Sequence, residues 1–454
     1  MRTDPSKKIA SFLGRINLGL VKEHFLVLLP LGATQLLQRM EHVIDNRFIT
    51  KLGTGALLIH SVNYNFFLVA QAVGLAAATS ALIFWRRKGC AERQRSILKI
   101  HVAAVAVVTV LVALAAFPFI DLLVRKYGVA PDYVDAARVY LRVGLLNLTL
   151  AAVYAPLNAL LIASDQRVKS LINVGLLIAV KTAAGFTAVH LFFTRGLPLP
   201  HAMLIIAAGG SVAIVALAVV AWYQVAARAS DHGAFHFAEM REVWQHEMGT
   251  AAVRSTSPFL YTLILAQSPG GPSLLITYQL ALHLAYILTL PQLAGGQIAI
   301  RDASQEHSAE SGKGLLETDW FAWFFAVSLA PTQVLLVAGA IFAPLFMRLL
   351  YGYAPPPEHF AFLAVYFLAC AVGQLGNVYL VVLRAAKKNS VAMNNFFIAE
   401  IGVMVLATGA AVFAGIGTPL VLGCIVFLYC AVYLGLNYAA AARLGPGRRE
   451  PALA

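Results

Sequence analysis

The sequence predicts an all-α, polytopic membrane protein with twelve transmembrane helices arranged as two pseudo-symmetric six-helix lobes. Three observations carry that prediction. Of 454 residues, 60% are hydrophobic and only 12% charged, and the mean hydropathy is +0.76, far outside the range of soluble domains. Twelve stretches reach the roughly 20 residues that a bilayer crossing needs. Lys and Arg are also distributed unequally between alternate loops, as the positive-inside rule requires of a chain with an even number of crossings.

The twelve spans are 25–50, 55–84, 99–124, 138–163, 168–194, 200–226, 248–268, 273–300, 318–347, 357–383, 389–414 and 418–442. With the N-terminus inside, 23 of the 34 Lys and Arg residues lie on the inner side and six on the outer. The other five, Arg39, Arg47, Arg142, Lys181 and Arg254, lie within or near the ends of spans. This places both termini in the cytoplasm, with the chain multi-pass in a cell membrane. The alanine-rich composition and short loops point to a bacterial inner membrane. The net charge of +13 is accounted for by the inner loops, so no nucleic-acid partner is inferred. The N-terminal stretch carries no apolar core followed by a small-residue cleavage site, and the first span is expected to act as its own insertion signal. Cys90, Cys370, Cys424 and Cys430 are scattered without metal-ligand spacing, so no metal or cofactor is expected.

The first span departs most from plain hydrophobicity. "QLLQRMEHVIDNRFI" (35–49) holds Arg39, Glu41, His42, Asp45 and Arg47. At 100° per residue, Gln35, Gln38, Arg39, His42 and Asn46 share one stripe, with Asp45 at its edge, while Leu36, Met40, Val43 and Ile44 form the apolar side. An ionisable residue at the bilayer centre costs about 2.5–3.5 kcal/mol on insertion scales, so these residues require partners or water. Two readings stand: the charges neutralise one another within the helix, or the helix lines a polar translocation cavity. His42 is either a proton carrier, since imidazole titrates near neutral pH, or a neutral hydrogen-bonding residue.

Further along, "NYN" supplies Asn63 and Tyr64, either lining a cavity or cross-linking helices. The loop 227–247 is the longest polar connection and divides the chain into a lobe at 1–226 and another at 248–454. The lobes repeat. "QRVKSLIN" and "KKNSVAMN" end in Asn173 and Asn394, 221 residues apart, and Gly196 and Pro198 precede Gly417 and Pro419 by the same interval. Such repeats are a recurring design of secondary transporters, which hold their substrate between the halves and alternate access by rocking one against the other. There is no phosphate-cradling GxxxxGK[ST] loop and no catalytic spacing, so the chain is read as neither an ATP-driven pump nor an enzyme.

These features resemble the multidrug and toxic compound extrusion (MATE) family, within the flippase-like exporter superfamily. "LLPLGATQLLQ" and "HVIDNRFITKLGTGALL" are similar to the family's first helix, and "ITYQLALHLAYILTLPQLAGGQIAI" is similar to its eighth, with Gln279 at the family's "HQ". The resemblance places Asp45 at the aspartate that helps couple transport to H+ or Na+. It also exposes departures. Lys181 stands close to where the fifth helix often has a second aspartate, and Arg254 stands in the seventh helix, where sodium-coupled members have a glutamate. Glu41 with Asn46 and Arg47, "RSTSP" from Arg254 to Pro258, and "LRAAKK" from Leu383 to Lys388 resemble the progressive ankylosis proteins instead, which are implicated in releasing anions.

The expectation is therefore a monomeric secondary exporter of an organic or phosphate-containing anion. Arg39 and Arg254 would bind the substrate, helped by Gln35, Gln38, Asn63, Tyr64 and Gln279, because guanidinium forks match carboxylate and phosphate oxygens. Asp45, Glu41, His42 and Lys181 would form the H+- or Na+-linked switch. Arg254 also admits a second reading, snorkelling to lipid phosphates. The alternatives are a cation-coupled multidrug antiporter and a lipid-linked precursor flippase.

Overall fold

The computed structural model describes residues 10–14, 16, 18–85, 91–164, 166–230, 233–309, 315–386 and 388–444. All regular structure among them is helical: α1 (Leu18–Lys51), α2 (Thr54–Trp85), α3 (Gln94–Lys126), α4 (Val134–Ala163), α5 (Arg167–Arg195), α6 (Leu199–Ala226), α7 (Phe237–Leu265), α8 (Gly271–Leu288), α9 (Leu290–Ala309), α10 (Asp319–Tyr351), α11 (Pro357–Ala385), α12 (Ser390–Phe413) and α13 (Pro419–Ala442). Every span read from the sequence falls on one of these, so the chain is an all-α, multi-pass membrane protein. The eighth span differs in form. It breaks at Thr289 into α8 and α9, because Pro291 brings no N–H to the ladder and its ring crowds the carbonyl one turn earlier.

Among the described residues, ten helices are long and apolar enough to cross a membrane on their own composition. α1, α7 and α9 are not among them, and α1 and α7 carry Glu41, Asp45 and Arg254. Among the helices that do qualify, α3 is the least covered, with 17% of its most apolar window buried. Its Val107, Leu111 and Leu114 are exposed, as lipid-facing residues are in a bilayer.

Two compact units account for the chain. One comprises residues 40–279 with 350–353. In it α2 packs along α4 and α7, and α6 packs along α4 and α5. Ala81, Trp85, Leu98, Leu157, Leu160, Ala221 and Val225 fill one of its cores. α5 stops at Gly196, whose φ of 61° closes the helix in the left-handed geometry that glycine adopts without strain. The other unit comprises residues 1–39, 280–349 and 354–454. There α11 packs along α13 and α9, over a core containing Leu28, Ala299, Trp320, Trp323, Phe324 and Val378. This unit also holds two π-helical segments, Phe325–Leu329 inside α10 and Ile398–Val405 inside α12.

Candidate functional site

Within the first unit, α1, α2, α4, α5 and α6 surround a small polar cavity of about 70 Å³. Helical periodicity explains who faces it. α1 presents Glu41, His42 and Asp45; α2 presents His60, Asn63, Tyr64 and Phe67; α4 presents Tyr140, Gly144 and Asn147. Each set repeats at three- or four-residue intervals, which is the spacing of one helix face.

Lys181 reaches in from α5 and organises the carboxylates. Its Nζ donates to Glu41 Oε1 at 2.5 Å and to Asp45 Oδ2 at 2.6 Å, and all three side chains are only 10–12% exposed. Gly210 on α6 makes room for it, since a Cβ there would lie 3.1 Å from Lys181 Cε. The charges do not cancel. Two carboxylates and one ammonium leave a formal charge of −1 when all are ionised.

The rest of the wall can donate and accept hydrogen bonds. His60 Nδ1 bonds the Tyr140 hydroxyl at 2.7 Å, and Ser211 Oγ donates to Asn147 Oδ1 at 2.5 Å. His60 Nε2 and Asn63 Oδ1 are buried with no hydrogen-bond partner among the described residues. The His42 ring sits edge-on to Phe67 at 4.6 Å and to Tyr64 at 5.5 Å. Gly144 gives Asn63 its place, because a Cβ there would overlap Asn63 Oδ1 and force that side chain to shift.

The structure thus gathers Asp45, Glu41, His42, Lys181, Asn63 and Tyr64 around one cavity. Arg39, Gln35, Arg254 and Gln279 do not line it. The Arg39 guanidinium lies over the Tyr286 ring, 4.4 Å from its centroid, and both residues belong to the other unit. Gln35 Oε1 is buried without a hydrogen-bond partner among the described residues, as are both amide atoms of Gln279. Arg254 is half-buried on α7. Gln38 lies on α1, but its side chain falls outside the described residues. The sequence reading missed His60, Tyr140, Asn147 and Ser211. For His60 a signal was available: it stands three, four and seven residues before Asn63, Tyr64 and Phe67, on the same face of α2.

Comparison with known proteins supplies the context. Residues 30–194 match the MatE family model. They form a MatE domain. The domain holds α1 through α5 apart from the first turns of α1 and the last residue of α5, and therefore every ionisable group lining the cavity. The likeness to the MATE fold covers 90% or more of the chain. An inward-facing multidrug resistance MATE family transporter of the MOP superfamily superposes with a TM-score of 0.70 at 13% identity, covering 90% of this chain and 95% of that one. A MOP superfamily transporter from Pyrococcus furiosus, described as having a binding pocket of reverse polarity, gives 0.65 at 13% identity over 98% and 96%. A mutant of the Vibrio cholerae MATE transporter VcmN gives 0.65 at 14% identity over 96% and 98%. No curated protein matches the sequence.

Proposed function

We propose that this chain is a secondary active transporter that works by alternating access and exports its substrate in exchange for protons handled by the Glu41–Lys181–Asp45 cluster. The observation that carries this reading is the unbalanced charge of the cluster. A surplus negative charge in a buried cavity is costly, and one proton removes it while the Lys181 ammonium keeps the remaining carboxylate paired. The cluster therefore has two states, protonated and neutral or deprotonated and charged. Na+ suits the site less well, because an ammonium already occupies the position between the carboxylates. His42 is the proposed proton carrier on the same wall. The two six-helix lobes, 1–226 and 248–454, are the proposed moving halves. Both termini are proposed to lie in the cytoplasm of a bacterial inner membrane, and the working form is proposed to be a monomer.

For the substrate we propose an organic or phosphate-containing anion recognised by Arg39 and Arg254. The motifs resembling the progressive ankylosis proteins support this class. A second reading, a cation-coupled multidrug antiporter, is favoured by the surplus carboxylate together with Tyr64 and Phe67 at the cavity, since cations seek carboxylates and ring faces.

Proteoliposomes loaded with citrate, pyrophosphate, ATP or a cationic dye test both readings under an imposed pH gradient. Gradient-driven movement of one anion, lost in Asp45→Asn and in both Arg39→Ala and Arg254→Ala, is the expected result. Dye movement that survives both arginine substitutions but fails in Asp45→Asn would establish the antiporter instead. Movement indifferent to the pH gradient would sink the proton-linked switch.

A further inference from the structure

A second and larger recess lies in the same unit, away from the ionisable cluster. It has a volume of about 600 Å³ and runs along α7 between α2 and α3. α7 contributes Phe237, Arg241, Trp244, Met248, Ala252 and Phe259, a single stripe at helical spacing. Beyond its charged end, from Met248 to Phe259, that stripe is about 17 Å long at 1.5 Å per residue, close to half of the roughly 30 Å hydrocarbon core and so to the depth of one leaflet. The facing walls are aliphatic: Val69 and Val73 on α2, Val108 and Val112 on α3.

The groove is chemically polarised along its length. One end carries Arg241, Gln245 and Trp244, while the stripe beyond Met248 has no charged residue. Arg241 is exposed, and no carboxylate pairs with it among the described side chains. The same end is marked by the Arg93–Glu239 ion pair at 3.0 Å and by the Ser96–Phe235 bonds, with Phe235 N–H donating to Ser96 Oγ at 3.0 Å and Ser96 Oγ donating to Phe235 O at 3.3 Å. A guanidinium beside an indole, at the end of an apolar stripe one leaflet deep, is the arrangement of a membrane–water interface. The α3 wall is the helix whose Val107, Leu111 and Leu114 are exposed, so a bilayer molecule can enter sideways.

We propose that this groove seats one acyl chain of an anionic bilayer phospholipid, its phosphate held by Arg241. The occupant is long, apolar and negatively charged at one end, which matches the groove in length, lining and charge. The lipid covers a stripe of α7, a helix whose own composition does not carry it across a membrane.

The test uses the full-length protein purified in detergent and native mass spectrometry with phosphatidylglycerol and phosphatidylcholine of matched chains. One phosphatidylglycerol should be retained per protein, about fivefold more firmly than phosphatidylcholine, as one basic contact to an anionic headgroup implies. Arg241→Gln should abolish the difference between the lipids. Ala252→Trp should abolish retention of both by filling the groove, whereas Val219→Trp, on the exposed face of α6, should leave it intact. Should Ala252→Trp fail to fold, brominated-chain phosphatidylglycerol reads the same contact, because its quenching of tryptophan fluorescence must fall in Trp244→Phe. Equal retention of the two lipids by the wild type, or quenching unchanged in Trp244→Phe, would overturn the proposal. So would displacement of the lipid by a cationic dye that Arg241→Gln binds more tightly, since that would make the groove a drug site.

Discussion

Lys181 holds two carboxylates, and the consequences of removing each partner differ. Asp45→Asn leaves Lys181 paired one-to-one with Glu41, so its melting temperature should stay within a few degrees of wild type. Lys181→Met leaves both carboxylates buried without a counter-charge and should cost about 3–5 kcal/mol, the usual penalty for breaking a buried pair from one side. Thermal melts of the two variants by intrinsic fluorescence check this contrast; equal losses would refute it. Gly144→Ala would drive a methyl into Asn63 Oδ1 and should destabilise by about 1–3 kcal/mol, as overpacking does. Part of this site was legible in the sequence. Glu41 and Asp45 are four residues apart, only 40° around a helix, and share a face on inspection. Arg39 was harder, because six residues put it about 120° from Asp45 and periodicity cannot say which neighbour a long side chain will choose. It lies over Tyr286, a partner 247 positions away in the sequence.

Elements meet through polar contacts that no single helix announces. Tyr127, just past the end of α3, accepts from Asn65 Nδ2 of α2 at 3.0 Å and bonds the Thr262 hydroxyl of α7 at 3.2 Å. Thr262 in turn donates to Asn65 Oδ1 at 3.2 Å. This closed ring pins three elements in a region where water cannot replace a lost partner. Tyr127→Phe should therefore cost about 1–3 kcal/mol, the range for stranding a buried donor, and a denaturation midpoint checks it. The His60–Tyr140 bond has the same character, its partners being 80 residues apart. Sequence periodicity gives the faces of such helices but not their mates. The break between α8 and α9 was also missed, although Pro291 stood in the sequence, because an apolar run reads as one span whether or not its hydrogen-bond ladder is interrupted.

At the scale of the molecule, hydropathy gave the number of crossings and their order, since backbone groups in lipid must be satisfied within each span. α1, α7 and α9 fall short on composition, and α1 and α7 carry Glu41, Asp45 and Arg254. A segment containing α1 alone should insert poorly into microsomes, whereas the α3 segment should insert efficiently; glycosylation mapping of each in a host protein measures the difference. Asp45 and Arg39 each cost about 2.5–3.5 kcal/mol near a helix centre on such scales. That figure has a temporal side. The ammonium that pairs with Asp45 is synthesised 136 residues after it. At about 5–20 residues per second, the two carboxylates of the first span spend roughly 7 to 27 s at the membrane before Lys181 exists, so the nascent helix must wait in water or carry protons until its partner is made.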